Sequence, residues 1–196
     1  MSERVLQVLK EKFGDAVLET HSQCGDDTAV VDASRWKEIC SFLREDPQTD
    51  MNLIVDLCGV DYPDREPRFE VVLHLYSIAR RHRLRLKARV GDSEGDGAEI
   101  DSITDVWPGA NWFERETYDL MGVTFRGHPD LRRILMYPEF EGHPLRKDYP
   151  ANKTQPLVPY RTEEEAGLPL EKLAPFGPDE GMPFGRKVWG NERGEA

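Results

Sequence analysis

Val5, Leu6, Leu9 and Phe13 fall at helical spacing near the start of the chain, and Gly14 follows as a stop signal. Ser2 is the candidate cap for this first helix. Two short extended runs come next, residues 16–21 and 28–32. The turn chemistry Gly25-Asp26-Asp27 lies between them, so the pair predicts a hairpin. Asp32 or Ser34 then opens a second helix. Trp36, Ile39, Cys40 and Leu43 share one of its faces, and Pro47 ends it.

The spacing then shortens. Residues 51–60 form an apolar run that predicts a buried strand, or a helix leading into one. Residues 61–64 (DYPD) supply a turn. Residues 69–77 form a strand rich in Val and Leu. In residues 82–90, Leu84, Leu86, Ala88 and Val90 alternate with Arg83, Arg85, Lys87 and Arg89, which is the period of a strand with one buried face. The short link between these last two strands predicts antiparallel pairing. Residues 91–98 form a polar, glycine-rich loop, and a helical turn over 103–107 is broken by Pro108.

A further helix is expected at Asn111. Glu114 stands three residues on, the spacing of a capping box. Phe113, Thr117, Leu120 and Met121 form its inward stripe, with a charged outer face, and Gly122 closes it. Beyond Gly127 prolines recur and neither period survives. The expected organisation is an α+β domain over residues 1–126, with a mixed or antiparallel sheet packed against helices. An ordered docking strap over 127–150 and an extended Pro/Gly-rich tail over 151–196 complete the irregular C-terminal extension.

Composition narrows the function. Hydrophobic residues are 38% and charged residues 32% of 196, a soluble, globular balance. No apolar run approaches the ~20 residues of a membrane-spanning helix, and residues 1–10 lack a signal-peptide core. A net charge of −11 argues against a nucleic-acid partner. Cys24, Cys40 and Cys58 are scattered without a CxxC pair. They offer no zinc or iron–sulfur ligand set and read as reduced, mostly buried thiols. The five histidines show neither HxH nor HxxxH spacing.

Three segments remain as candidate chemistry. The basic run at 80–89 could form an RNA-binding strand. It lacks interleaved aromatic residues, so a solvated or partner-facing stripe is the simpler reading. The loop at 91–97 (GDSEGDG) carries too many acids to cradle a phosphate. In residues 114–135 (ERETYDLMGVTFRGHPDLRRIL), Glu114, Glu116 and Asp119 with His128 invite an acid–base reading. Helical geometry spreads Glu114, Arg115 and Glu116 around the axis, though Arg115 and Asp119 could pair at i,i+4. The charge persists past the helix in Arg126, His128, Asp130, Arg132 and Arg133, alternating with Leu131, Ile134, Leu135 and Tyr137. That pattern suits a surface docked on another protein.

The same segment resembles the thirty-kilodalton subunit family of respiratory complex I, the C-type subunit of bacterial NADH–quinone oxidoreductases. The family signature is matched at Glu114-Arg115-Glu116, Asp119, Leu120-Met121, His128, Arg132 and Ile134-Leu135. Residues 142–150 (GHPLRKDYP), with Arg146, Asp148, Tyr149 and Pro150, and residues 56–63 (DLCGVDYP) are similar to the family as well. The resemblance implies a scaffold without catalytic, cofactor or metal residues of its own, with the signature residues at the subunit interface. It implies docking on the forty-nine-kilodalton, D-type subunit, with the B-type and other arm subunits as further partners. FMN and iron–sulfur clusters are expected in those partners, carrying electrons from NADH to quinone with proton pumping. A peripheral place on the cytoplasmic side of the cell membrane follows from the complex. An equivalent subunit of a membrane-bound hydrogenase or another donor-linked complex stays open.

Overall fold

The computed structural model describes residues 3–91 and 97–156. Ser2, most of the glycine-rich loop and tail residues 157–196 lie outside the described residues. The chain begins with α1 (Glu3–Phe13), then β1 (Val17–His21) and β2 (Thr28–Val31), α2 (Trp36–Glu45), and the strands β3 (Leu53–Asp61), β4 (Phe69–Ser77) and β5 (His82–Val90). β6 (Glu99–Asp101), α3 (Ala110–Met121) and β7 (Thr124–Arg126) follow. This is an α+β fold.

Five strands form one mixed sheet in the order β1-β2-β5-β4-β3. β1–β2, β3–β4 and β4–β5 are antiparallel, and β2 runs parallel to β5. The alternation in β4 and β5 decides the layering. Leu73, Leu75, Leu84, Leu86 and Ala88 face one core together with Leu9 of α1 and Trp36, Ile39 and Leu43 of α2. Each such large side chain contributes about 1.5–3 kcal/mol when fully buried.

The other sheet face carries the basic stripe, and three of its members are neutralised within the chain. Arg85 pairs with Asp26 at 2.8 Å, Lys87 with Glu70 at 2.7 Å and Arg89 with Glu19 at 3.1 Å. Lys87 stands in register with both Val72 and Val30, so its aliphatic stem shields two buried valines. The stripe is therefore largely a self-paired surface.

Several expectations change. The 51–60 run is not a buried strand, because β3 lies at the sheet edge. A bulge at Val55 breaks its register with β4, and Leu53 and Val55 are exposed. Cys40 is buried and Cys58 half-buried, but Cys24 is exposed. A two-stranded parallel pair, β6 with β7, was not visible in the spacing because each strand has only three residues.

Candidate functional site

The signature segment is built on α3. The turn at 103–107 and Pro108 lead directly into it: Ala110 donates its N–H to the Trp107 carbonyl, and Gly109 occupies the cap position without a side-chain cap. Asn111 is thus inside the helix, and the expected capping box does not form. Glu114 points inward instead. It is fully buried, and its carboxylate accepts from Ser102 Oγ at 2.7 Å and from the Ile103 N–H at 2.8 Å. A three-residue spacing reads as a cap only if the helix starts where the Asn stands, and here the preceding turn starts it earlier. Burial pushes the Glu114 carboxyl up to about 7, against the pull of those two hydrogen bonds.

Asp119 is the second fully buried acid, so the outer face of α3 is less charged than its sequence suggests. One carboxylate oxygen accepts three consecutive backbone N–H groups, Ile134 at 3.0 Å, Leu135 at 2.8 Å and Met136 at 2.8 Å. The other meets Arg133 Nη1 at 2.7 Å. Burial acts to raise its pKa, but those N–H groups and the guanidinium outweigh it and hold the carboxyl below its usual range. Arg115 does not pair with Asp119. It donates to the carbonyls of Arg132 and Arg133, at 3.1 and 3.3 Å. His128 accepts the Asp130 N–H at Nδ1, which leaves Nε2–H to donate to the Asn111 carbonyl at 3.3 Å.

The strap continues along the end of α3. Gly122 closes the helix in the left-handed region, with φ +77. A Cβ there would lie 2.6 Å from His143 Nε2, so the absence of a side chain seats the strap. His143 Nδ1 contacts the Asp119 carbonyl at 2.9 Å, and Arg146 Nε donates to the Met121 carbonyl at 2.6 Å. Asp61, buried at the end of β3, accepts from Arg68 Nε at 2.7 Å and from the Lys147 N–H at 2.7 Å. Arg68 holds the Asp61 carboxyl below its usual range and reaches Asp148 at 3.0 Å. Tyr149 stacks on Phe140, which meets Tyr137 edge-on.

The charged signature residues Glu114, Arg115 and Asp119 are thus committed to this chain, each with its own partners. Glu114, Asp119 and His128 do not converge as an acid–base set. What the strap and α3 turn outward is different: Trp112, Glu116, Arg132, Leu135, Tyr137 and Leu145 are exposed or half-exposed, while Leu120, Met121 and Ile134 are half-buried. A groove of ≈ 200 Å³ runs between β3 and α3, lined by Cys58, Gly59, Glu116, Leu120, Met121 and Leu145 among others. Gly59 lets the two elements approach: a Cβ there would sit 3.0 Å from Thr117 Cγ2. Sequence reasoning missed Ser102, Arg68 and the strap-seating role of Gly122. Nothing in the local pattern ties them to partners far along the chain. Among the described residues, no three His, Cys, Asp or Glu side chains are grouped to hold a metal ion, and no helix is long and apolar enough to cross a membrane.

The family profile described as "Respiratory-chain NADH dehydrogenase, 30 Kd subunit" matches residues 29–155, which includes the whole α3–strap unit. The chain belongs to this family. Among its relatives, the NADH-quinone oxidoreductase C 2 subunit of Rhizobium etli is 44% identical over 169 residues, 86% of this chain and 80% of the relative. The NADH-quinone oxidoreductase C subunit of Geobacter sulfurreducens is 51% identical over 148 residues, 75% of this chain and 88% of the relative. The Roseiflexus castenholzii C subunit is 50% identical over 146 residues, 74% and 82% of the two chains. Among solved structures, a chain of the membrane-bound sulfane sulfur reductase, an archaeal respiratory membrane complex, superposes with a TM-score of 0.64. It is 25% identical and is matched over 77% of this chain and 86% of that one. In this member of the complex I family, the signature is first a description of how the strap is fastened.

Proposed function

We propose that this protein is a scaffold subunit of the peripheral arm of a proton-pumping NADH–quinone oxidoreductase, respiratory complex I. In this reading it carries no redox centre, and FMN and iron–sulfur clusters sit in partner subunits. Its α3–strap surface docks the forty-nine-kilodalton, D-type subunit, with the B-type and other arm subunits nearby, on the cytoplasmic side of the membrane. One observation supports the docking surface above all. The buried Asp119 nest fixes a strap that has no regular structure, and that strap presents Leu135 at 56% and Leu145 at 50% exposure. Ordered, exposed apolar side chains rimmed by charge have the composition of an interface core.

Affinity purification of the tagged full chain from membranes in mild detergent tests the proposal. Co-recovery of the D-type subunit and NADH–quinone activity is expected. Recovery of the chain without either would overturn it. The likeness to a chain of a sulfane sulfur reductase complex favours one second reading, an equivalent subunit of a complex with a different electron donor. Recovery of the same D-type partner without an NADH-oxidising flavin subunit would select it.

A further inference from the structure

We propose that the Leu53 end of β3 and the β4–β5 turn form a second docking surface. It takes an acidic segment of a neighbouring protein subunit, anchored by one large apolar side chain. This rests on the multisubunit reading above, but on different residues.

The apolar part comes from an edge. β3 has no strand beyond it among the described residues, and its bulge leaves Val55 without a cross-strand partner. Bulges at sheet edges re-aim side chains and discourage strand addition, so the surface offers side chains rather than a bare backbone. Leu53, Val55 and Ile78 are 41%, 54% and 61% exposed. They are neighbours: Ile78 donates its N–H to Asn52 Oδ1 at 3.2 Å, and Leu53 stands opposite Tyr76. A cleft of ≈ 210 Å³ opens beside them, walled by Val55, His74, Tyr76 and Arg83 among others. It has room for one large side chain.

The charge comes from the turn. Arg85, Lys87 and Arg89 are spent on Asp26, Glu70 and Glu19. Arg80, Arg81 and Arg83 are exposed, and none has an ion pair among the described residues. Arg83 stands in register with Tyr76, which puts one guanidinium at the cleft mouth. Of the acids lining the cleft, Asp26 is neutralised by Arg85, and Asp27 accepts from the Ser22 hydroxyl. Asp56 stands opposite His74, whose pKa burial lowers. A protein that is −11 overall thus turns unpaired positive charge toward an exposed aliphatic patch at one corner. Carboxylates around an apolar anchor complement that corner. Nucleic acid would be repelled by the net charge and would want aromatic platforms, whereas these three exposed side chains are aliphatic.

The corner is also well placed for a second partner. It lies at the opposite end of β3 from Asp61, where Lys147 and Arg68 fasten the far part of the strap, roughly 26 Å away at strand rise.

Photo-crosslinking in the assembled complex tests this. The full chain carrying Ile78→p-benzoylphenylalanine is expressed in its own host, and the complex is isolated in mild detergent and mapped by mass spectrometry. A parallel chain carries Leu145→p-benzoylphenylalanine. The Ile78 probe is expected to crosslink an acidic protein segment, with yield falling at least about tenfold when Arg80→Glu and Arg81→Glu are added. The inference is overturned by crosslinks to lipid, to RNA, to a segment without acids, or to this chain's own residues 163–170 (EEEAGLPL). It is also overturned by no crosslink while the Leu145 probe marks the D-type subunit. If the Leu145 probe marks nothing while Ile78 marks an acidic segment, the α3–strap docking fails and the corner stands.

Discussion

Glu114 and Asp119 are both fully buried carboxyls on α3, and their proton affinities move in opposite directions. Glu114 has two hydrogen-bond donors and no cation among those bonds, so desolvation dominates. Between its ordinary value near 4.5 and about 7, the folded chain holds a proton that the unfolded chain has released. This contribution to stability therefore falls as pH rises through that window. A Glu114→Gln chain should gain on the wild type by on the order of 2–3 kcal/mol between pH 5 and pH 8 in urea titrations. A constant gap between the two curves would show that Glu114 does not titrate there. Asp119 behaves the other way. Its lowered pKa stabilises the fold above the ordinary carboxylate range and is lost as pH falls through the folded value. Asp119→Asn places an amide N–H₂ or a neutral oxygen against three N–H groups and Arg133. At pH 7 it should cost about 3 kcal/mol. It should also speed amide exchange at Ile134, Leu135 and Met136. Unchanged protection at those three amides would remove the nest from the account.

At the scale of elements, α1, α2, β4 and β5 were legible because each buries one periodic face against one core, and periodicity is what a sequence displays. The bounds 69–77 and 82–90 agree with the strands formed. α3 was legible as a helix but not in its facing. Glu114 and Asp119 look like surface charges until Ser102 and residues 133–136 arrive from elsewhere in the chain to satisfy them. Non-local satisfaction of a buried acid leaves no local pattern. Exposure on β3 was hidden for a similar reason, since an apolar run does not say whether it becomes a central or an edge strand. The strap was legible only as broken periodicity, and Gly122 was read as a helix stop alone. Gly122→Ala tests its second role. The φ of +77 and the close approach of His143 both oppose a methyl group. The variant should lose about 1–2 kcal/mol and show faster exchange at the Arg146 and Lys147 amides, while far-UV circular dichroism stays that of the wild type. Protection equal to wild type at both amides would separate the glycine from strap seating.

For the whole molecule, stability and assembly should separate cleanly. Leu135→Asp with Leu145→Asp changes side chains that are half or more exposed, so the isolated chain should keep its stability within about 0.5 kcal/mol in urea titrations. The yield of assembled complex should fall severalfold, read by native gel of detergent-solubilised membranes. Full assembly of the double variant would place the interface elsewhere. The family itself was legible in the sequence, through the spacing of residues 114–135 and two further blocks. The physical work of that spacing was not. Most of its charged members fasten the chain to itself, and among the apolar members Leu135 stays exposed.

The single parallel pairing in the sheet has a consequence in time. β3, β4 and β5 close through short links, so their meander can form as soon as residue 90 is available. β2 must instead wait for β5, more than fifty positions downstream, before residues 28–31 find residues 85–88. Loop closure makes such distant pairings late events. The β1–β2 hairpin, although synthesised first, is therefore among the last pieces to be seated. In pulse-labelled hydrogen exchange during refolding, β4 and β5 amides should gain protection before those of β1 and β2. Simultaneous protection of all five strands would contradict that order. On a translating ribosome, the exposed flank of this hairpin is what a chaperone would meet.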